Sequence, residues 1–339
     1  GRLPGGRAAY PRGAGMIISR TPLRVSFCGG GSDLPAFYRQ HGGAVLSMSI
    51  TRYVYLSMHA YFESDGFILK YSKVERPNTL GEIEHRIVRQ VFSDYRIKGV
   101  DFNSSADVPA GTGMGSSSAF TVGLLNLCNA YLGRYEDRAV LARKACEIEI
   151  DKLGEPIGKQ DQYGCALGGI NFIQFHRDES VSHEVVPISR EARGRLEDGL
   201  AMFYLGGTRS ASEILRVQSQ ATQTNMAVTE NLKAMVEQSR QLRSEIVKDV
   251  DVLGPYLHEG WERKRALSSL IANPLIDRTY QRARDAGATG GKLLGAGGAG
   301  FLLVYAPGDA MESVRQELAE FKVYDVTIDQ IGTTIIYSD

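Results

Sequence analysis

The sequence predicts a two-domain α+β protein, and three observations carry that expectation. The chain has 339 residues, 43% of them apolar, which at roughly 150 residues per domain is material for about two cores. Strand-like segments dominate the first hundred residues, whereas helical periodicity dominates 212–286. Between two apolar, strand-like runs lies a charged stretch, Arg177–Arg195, which places the boundary near residue 190. The expected division is a tail over 1–15, an N-terminal domain over 16–190 and a C-terminal domain over 191–339.

Each element follows from local chemistry. Residues 1–15 are rich in Gly, Arg and Pro with almost nothing apolar, as in an expression scar or a disordered tail. Ala44–Ile50, Tyr53–Tyr61 and Phe67–Tyr71 carry the β-branched and aromatic residues of an early sheet. Over Gly81–Tyr95 the period changes, and Ile83, Ile87, Val88, Val91 and Phe92 fall on one helical stripe. Ser116–Leu132 is expected as a helix capped by its serine run and ended by Gly133. A further helix is expected from Asp137 to about Lys152, and buried strands at Gly168–Phe175 and Gly199–Leu205. Ser212–Lys248 and Pro255–Ala286 read as helical, interrupted at Gly254-Pro255. A strand at Phe301–Tyr305, a helix at about Asp309–Phe321 and the segment Val323–Ile336 close the chain, and no internal repeat appears.

Charge and cysteine usage narrow the function classes. Lys+Arg and Asp+Glu both number 39, so nothing favours a nucleic-acid partner. No run approaches the roughly 18 to 20 apolar residues of a membrane span, and the expectation is a soluble protein without a membrane partner. Cys28, Cys128, Cys146 and Cys165 lack metal or CxxC spacing and read as reduced core thiols of a cytoplasmic protein. The six histidines lack catalytic spacing and are expected to be structural.

Three glycine-dense segments carry the chemistry. Gly111, Gly113 and Gly115 leave successive N–H groups free ahead of a serine-opened helix, an arrangement that cradles an anion. The plain alternative is an ordinary strand-to-helix connection. No Gly-x4-Gly-Lys-Ser/Thr string occurs, which argues against a P-loop kinase. Gly295, Gly297 and Gly300 satisfy GxGxxG, yet Phe301–Tyr305 continues as a strand where a dinucleotide site requires a helix. That loop is instead expected to approach a ligand or the first glycine loop. The third segment, Arg20 to Asp33, sets Arg24 and Asp33 on either side of Gly29-Gly30-Gly31.

In this order the segments resemble the motifs of the GHMP small-molecule kinases. Pro109-Ala110-Gly111-Thr112-Gly113-Met114-Gly115-Ser116-Ser117-Ser118 is similar to the second family motif, with Met114 for leucine and Ser118 for the first alanine. Thr21-Pro22-Leu23-Arg24 is similar to the first motif and Lys292–Gly300 to the third. The resemblance spans residues 16–339. It implies an α+β GHMP kinase fold, with an N-terminal ATP-binding domain like ribosomal protein S5 domain 2 and a ferredoxin-like C-terminal domain. Gly29–Asp33, Gly158–Tyr163, Gly168–Asn171 and Gly206–Ala211 point within the family to the sugar 1-kinases acting on D-glycero-D-manno-heptose 7-phosphate or on fucose. Galactokinases fit less well, because Gly30-Gly31 stands where they carry Glu-His.

The resemblance implies the following site. ATP sits on Pro109 to Ser118, with Mg²⁺ held by Ser117 and Glu149, although Glu147 lies only two residues from the latter. Asp161 acts on the acceptor hydroxyl as base or orienting group, and Arg24 beside it favours its anionic form. By local sequence alone Asp161 reads as an exposed loop carboxylate. Gly30, Gly31, Ser32 and Asp33 contact the sugar, and Arg209 holds a sugar hydroxyl or a distal phosphate. The implied reaction is ATP-dependent phosphorylation of the C1 hydroxyl of D-glycero-D-manno-heptose 7-phosphate, yielding the 1,7-bisphosphate for nucleotide-activated heptose biosynthesis. A fucokinase-like or other hexose 1-kinase is the alternative within the family, and a non-catalytic sugar and ATP sensor the alternative outside catalysis. The small-molecule partner is a sugar phosphate.

Overall fold

The computed structural model describes residues 15–62, 66–207 and 211–339. Two sheets organise it. The first has eight strands, β1 (Ile17–Cys28), β2 (Gly43–Ala60), β3 (Phe67–Lys70), β4 (Val74–Glu75), β5 (Val100–Ala106), β6 (Ile170–Phe175), β7 (Val181–Val185) and β12 (Thr334–Ser338). Its path runs β12-β1-β2-β5-β3-β4, with β6 and then β7 added beside the first half of β2. Among the described residues of this sheet only β3 and β5 pair in parallel. The two strands expected across Ala44–Tyr61 are one, because β1 pairs with β2 on both sides of an irregularity at Thr51 and Arg52 and the strand continues through it.

The second sheet contains β8 (Leu200–Tyr204), β9 (Gly290–Leu293), β10 (Phe301–Tyr305) and β11 (Lys322–Asp325), all antiparallel in the order β11-β8-β10-β9. Taken in chain order this is the 4-1-3-2 arrangement of a ferredoxin-like domain. Strand β9 escaped the sequence reading because Gly290 and Gly291 carry no strand signal. The chain then returns. β12 pairs antiparallel with β1, so the last residues of 191–339 lie in the first sheet, not the second.

Helices cover these sheets: α1 (Pro35–His41), α2 (Arg86–Tyr95), α3 (Ser116–Tyr131), α4 (Arg138–Cys146), α5 (Gln160–Leu167), α6 (Arg190–Asp198), α7 (Ala211–Thr224), α8 (Met226–Glu245), α9 (Leu253–Arg265), α10 (Pro274–Asp285) and α11 (Ala310–Glu317). The charged stretch 177–195 contains β7 and the start of α6. Gly254 and Pro255 do not interrupt a helix; they sit in the first turn of α9, where a proline needs no intrahelical partner for its missing N–H. Helix α3 is buried nearly all round and packs on β1 and β2. Gly133 ends it as expected: with φ +65° it donates to Ala130 O, while Arg134 N donates to Asn129 O, the paired bonds of a Schellman turn. The four cysteines are buried and unpaired. Among the described residues no helix is long and apolar enough to cross a membrane.

Both sheets share one continuous apolar core. Helix α8 packs against β1 and β2, and α9 packs against β1 as well as β9 and β10 of the second sheet, and this leaves a cleft at the far end of β1.

Candidate active site

The cleft, about 440 Å³, opens at the N-terminus of α3. Strand β12 covers only the first residues of β1, so the backbone of the second half of β1 is free to hold the glycine loop: Arg24 N donates to Met114 O at 3.1 Å. Gly111, Gly113 and Gly115 all have positive φ, +75°, +85° and +75°. The turn they make ends in Gly115 as the N-cap of α3, with no side chain bonded to the first turn. The expected serine cap is therefore corrected. A capping hydroxyl would consume one of the N–H groups that the helix here leaves open, beside its positive dipole end.

The second and third glycine segments touch. A β-carbon on Gly113 would lie 2.6 Å from Leu294 O, and one on Gly295 would lie 2.3 Å from the Gly113 Cα. This close passage of two backbones explains why glycine stands at both positions. Lys264, from α9, ties the junction by donating to Leu293 O (3.4 Å) and to Gly295 O.

Arg24 and Asp161 meet in the cleft. The guanidinium Nε and Nη2 both donate to Asp161 Oδ1, at 2.9 and 2.5 Å, and Nη1 donates to Gly113 O at 2.8 Å. Arg24 is buried (side chain 4% exposed), while the Asp161 side chain is 30% exposed. Asp161 does not lie in a loop before the strand; it sits in the first turn of α5, where packing on β1 fixes its direction. Its Oδ2 has no hydrogen-bond partner among the described residues.

Asp33 is buried beside this pair. Its carboxylate accepts from Gly31 N (2.9 Å), Gln160 N (3.2 Å) and Gln160 Nε2 (3.0 Å). Burial, and then the charge of Asp161, push its carboxyl above the ordinary range. Gly30 and Gly31 line the cleft with it. Ser32 does not: its hydroxyl closes the turn on Gly29 O and Ala44 O, at 2.8 and 3.1 Å.

Glu149, not Glu147, faces the cleft. Residues Glu147–Lys152 form a π-helical turn, and the wider spacing brings Glu149 inward while Glu147 pairs with Arg143 outside (2.6 Å). Glu149 accepts from Ser117 Oγ (3.3 Å), Ser118 Oγ (2.8 Å), Thr121 Oγ1 (2.9 Å) and Gln162 Nε2 (2.6 Å). Burial pushes its carboxyl up despite these donors.

Of the anion-loop residues, Gly111, Gly113, Gly115 and Ser116–Ser118 line the cleft. Pro109, Ala110, Thr112 and Met114 do not; Met114 is fully buried in the core and the Thr112 hydroxyl turns back to Pro109 O (2.9 Å). Arg209 lies outside the described residues. Among the side chains lining the cleft that sequence reasoning missed are Ser26, His85, Gln160, Gln218 and Lys264. His85 accepts from Val88 N at the start of α2 and stacks on Phe120, so its placement depends on packing that no local spacing reports. Lys292 and Lys264 are buried lysines without a carboxylate partner within ion-pair distance among the described residues; Lys292 donates to Ser26 O (2.7 Å) and Phe27 O (3.2 Å). Burial, then Arg24, push the Lys292 ammonium down to about 8.

Comparisons with known proteins identify the family. The GHMP kinases N terminal domain matches residues 82–169 and the GHMP kinases C terminal domain residues 232–323, together about half of the chain. The chain is 29% identical over 308 residues to a D-glycero-alpha-D-manno-heptose 7-phosphate kinase of Campylobacter jejuni, covering 85% of this chain and 89% of the relative. It is 28% identical over 339 residues to the bifunctional fucokinase/GDP-fucose pyrophosphorylase of Arabidopsis thaliana, covering 91% of this chain but 31% of that protein. The crystal structure of a D-glycero-D-manno-heptose 1-phosphate kinase from Bacteroides thetaiotaomicron superposes with a TM-score of 0.78 at 25% identity, over 95% of this chain and all of the other. The galactokinase of Lactococcus lactis, solved with galactose, shares the fold at 15% identity, with a TM-score of 0.76 over 94% of this chain and 95% of that one. With both halves of the family matched and the glycine loops, ion pair and buried carboxylates gathered in one cleft, the chain belongs to the GHMP kinases and is an ATP-dependent phosphotransferase with an alcohol group of a sugar as acceptor.

Proposed function

We propose that this kinase phosphorylates the C1 hydroxyl of D-glycero-D-manno-heptose 7-phosphate, giving the 1,7-bisphosphate used for nucleotide-activated heptose biosynthesis in the cytoplasm. The observation that carries the reading is the Arg24–Asp161 pair, set between the open N-terminus of α3 and the buried Asp33. The heptose relatives support the substrate, while the differing phosphate positions in their names leave the acceptor position to experiment. Four unpaired cysteines accord with a reducing compartment.

The chain's own groups divide the work. The N–H groups of Gly113 to Ser118 and the α3 dipole attract the phosphates. Arg24 holds Asp161 through one oxygen, which leaves Oδ2 to accept the hydroxyl proton or to orient the hydroxyl for an in-line approach. Asp33, kept in place by Gln160 and Gly31, accepts from a sugar hydroxyl. Ser117 Oγ and Glu149 Oε1, 3.3 Å apart, are the hard oxygen donors that fit Mg²⁺, an ion that takes one or two protein oxygens and completes its shell with water and phosphate. When bound, Mg²⁺ supplies neutralisation of phosphate charge.

The test is turnover of ATP with heptose 7-phosphate, fucose and galactose, with the product located by phosphorus NMR. A phosphomonoester at C1 of the heptose is expected. Preference for an unphosphorylated sugar, or phosphate elsewhere on the heptose, overturns the assignment; ligand-induced stabilisation without turnover of any sugar selects the sensor.

A further inference from the structure

Three water-shielded polar atoms on side chains that line the cleft have no hydrogen-bond partner among the described residues: Ser26 Oγ, Gln160 Oε1 and Gln218 Nε2. They come from β1, α5 and α7, distant in sequence, yet all three converge on one dipeptide. A β-carbon built on Gly30 would lie 3.8 Å from Ser26 Oγ and 3.8 Å from Gln160 Oε1, and one on Gly31 would lie 2.1 Å from Gln218 Nε2. Ser26 is 7% exposed and Gln218 3%. The orientation of the Gln160 amide is set by its neighbour, since Nε2 donates to Asp33 Oδ1, and this leaves Oε1 as a pure acceptor near Gly30.

Buried polar atoms without partners are costly and uncommon, and three over one glycine pair mark a place that a ligand completes. The chemistry of that ligand can be read from the atoms. Gln160 Oε1 asks for a donor, Gln218 Nε2 for an acceptor, and Ser26 Oγ takes either. Neighbouring hydroxyls on one carbon chain meet all three demands; a methyl group meets none, and a fully ionised phosphate offers acceptors only.

We propose that Ser26, Gln160 and Gln218 form a polyol-reading wall of the acceptor site, over Gly30–Gly31, and determine specificity for a sugar presenting neighbouring hydroxyls there. This rests on the sugar-kinase reading above and adds the side chains that choose among sugars. Asp33 stands at one end of the wall through its bonds to Gln160.

The test titrates heptose 7-phosphate and its monodeoxy analogues into wild type, Ser26→Ala and Gln218→Leu by calorimetry, with Mg²⁺ and a non-hydrolysable ATP analogue present. Each substitution is expected to weaken heptose 7-phosphate binding by about 10- to 100-fold, with nucleotide affinity unchanged within twofold. Its penalty is expected to vanish on the one deoxy analogue that lacks the contacted hydroxyl. Ser26→Ala, which deletes an unpaired buried hydroxyl, is expected to leave Tm unchanged or raised, an outcome that a merely structural role does not give. Sugar affinity unchanged within twofold, or the same loss on every analogue, overturns the proposal. Fucose and galactose are titrated in parallel, and turnover of each sugar is assayed separately with ATP: wild type that binds a sugar but does not phosphorylate it with ATP refutes the functional reading alone, and wild type that binds none of the three refutes both.

Discussion

Gly113→Ala probes the contact on which the phosphate cradle depends. At φ +85° an alanine is strained by roughly 1–2 kcal/mol. Its methyl would also lie 2.6 Å from Leu294 O, where ordinary contact begins near 3.4 Å, so one of the two glycine loops must retreat by the difference, about 0.8 Å. Neither side of that contact is a flexible side chain that could swing away; both are backbone. A displacement of this size in the proposed phosphate cradle is expected to lower kcat/KM for ATP about 100-fold or more. Gly133→Ala supplies the control. It has φ +65° but open space, with nothing within 4 Å of the added carbon, so it carries the conformational strain without the clash. It is expected to lower Tm by roughly 2 °C and to leave kcat/KM unchanged. Steady-state kinetics at varied ATP, paired with thermal melts, reads both variants. Equal kinetic losses in the two would refute the claim that loop-to-loop contact, not glycine flexibility, builds the cradle.

Arg24→Lys keeps the charge but loses the fork that grips Asp161 and Gly113 O together; a loss of about 3 kcal/mol, or roughly 100-fold in kcat, is expected, and turnover within threefold of wild type at saturating substrates would contradict it. Asp161→Asn is expected to reduce kcat by about 10² to 10⁴ while sugar and nucleotide still bind in calorimetry; activity above a tenth of wild type would remove Asp161 from the chemistry. Lys292 keeps its proton up to about pH 8 when folded but up to its ordinary 10.5 when unfolded, so between these values the unfolded chain binds more protons and stability rises with pH. Lys292→Met lacks that rise, which amounts to at most about 3 kcal/mol, so the Tm of wild type should gain on the variant from pH 8 to 10; parallel curves would show that the buried ammonium is not perturbed.

The sequence by itself determined what depends on neighbours a few residues away. The glycine positions that need positive φ, the Schellman end of α3 at Gly133, the Asp137 cap of α4, the apolar stripe of α2 and the refusal of Gly295–Gly300 to open a helix all follow from backbone sterics and short-range hydrogen bonds. The residues Arg24, Asp33, Glu149 and Asp161 were also legible, through their places in motifs. Only the tertiary structure decided how those groups face one another. Arg24 and Asp161 are 137 positions apart, and Lys292 reaches Ser26 across 266. The choice of Glu149 over its neighbour Glu147 rests on a π-helical turn, and Gln218 and Lys264 entered the cleft because α7 and α9 fold back over the turn that follows β1. Burial sets the electrostatics of such groups, and burial is a property of packing between distant segments that no local pattern encodes.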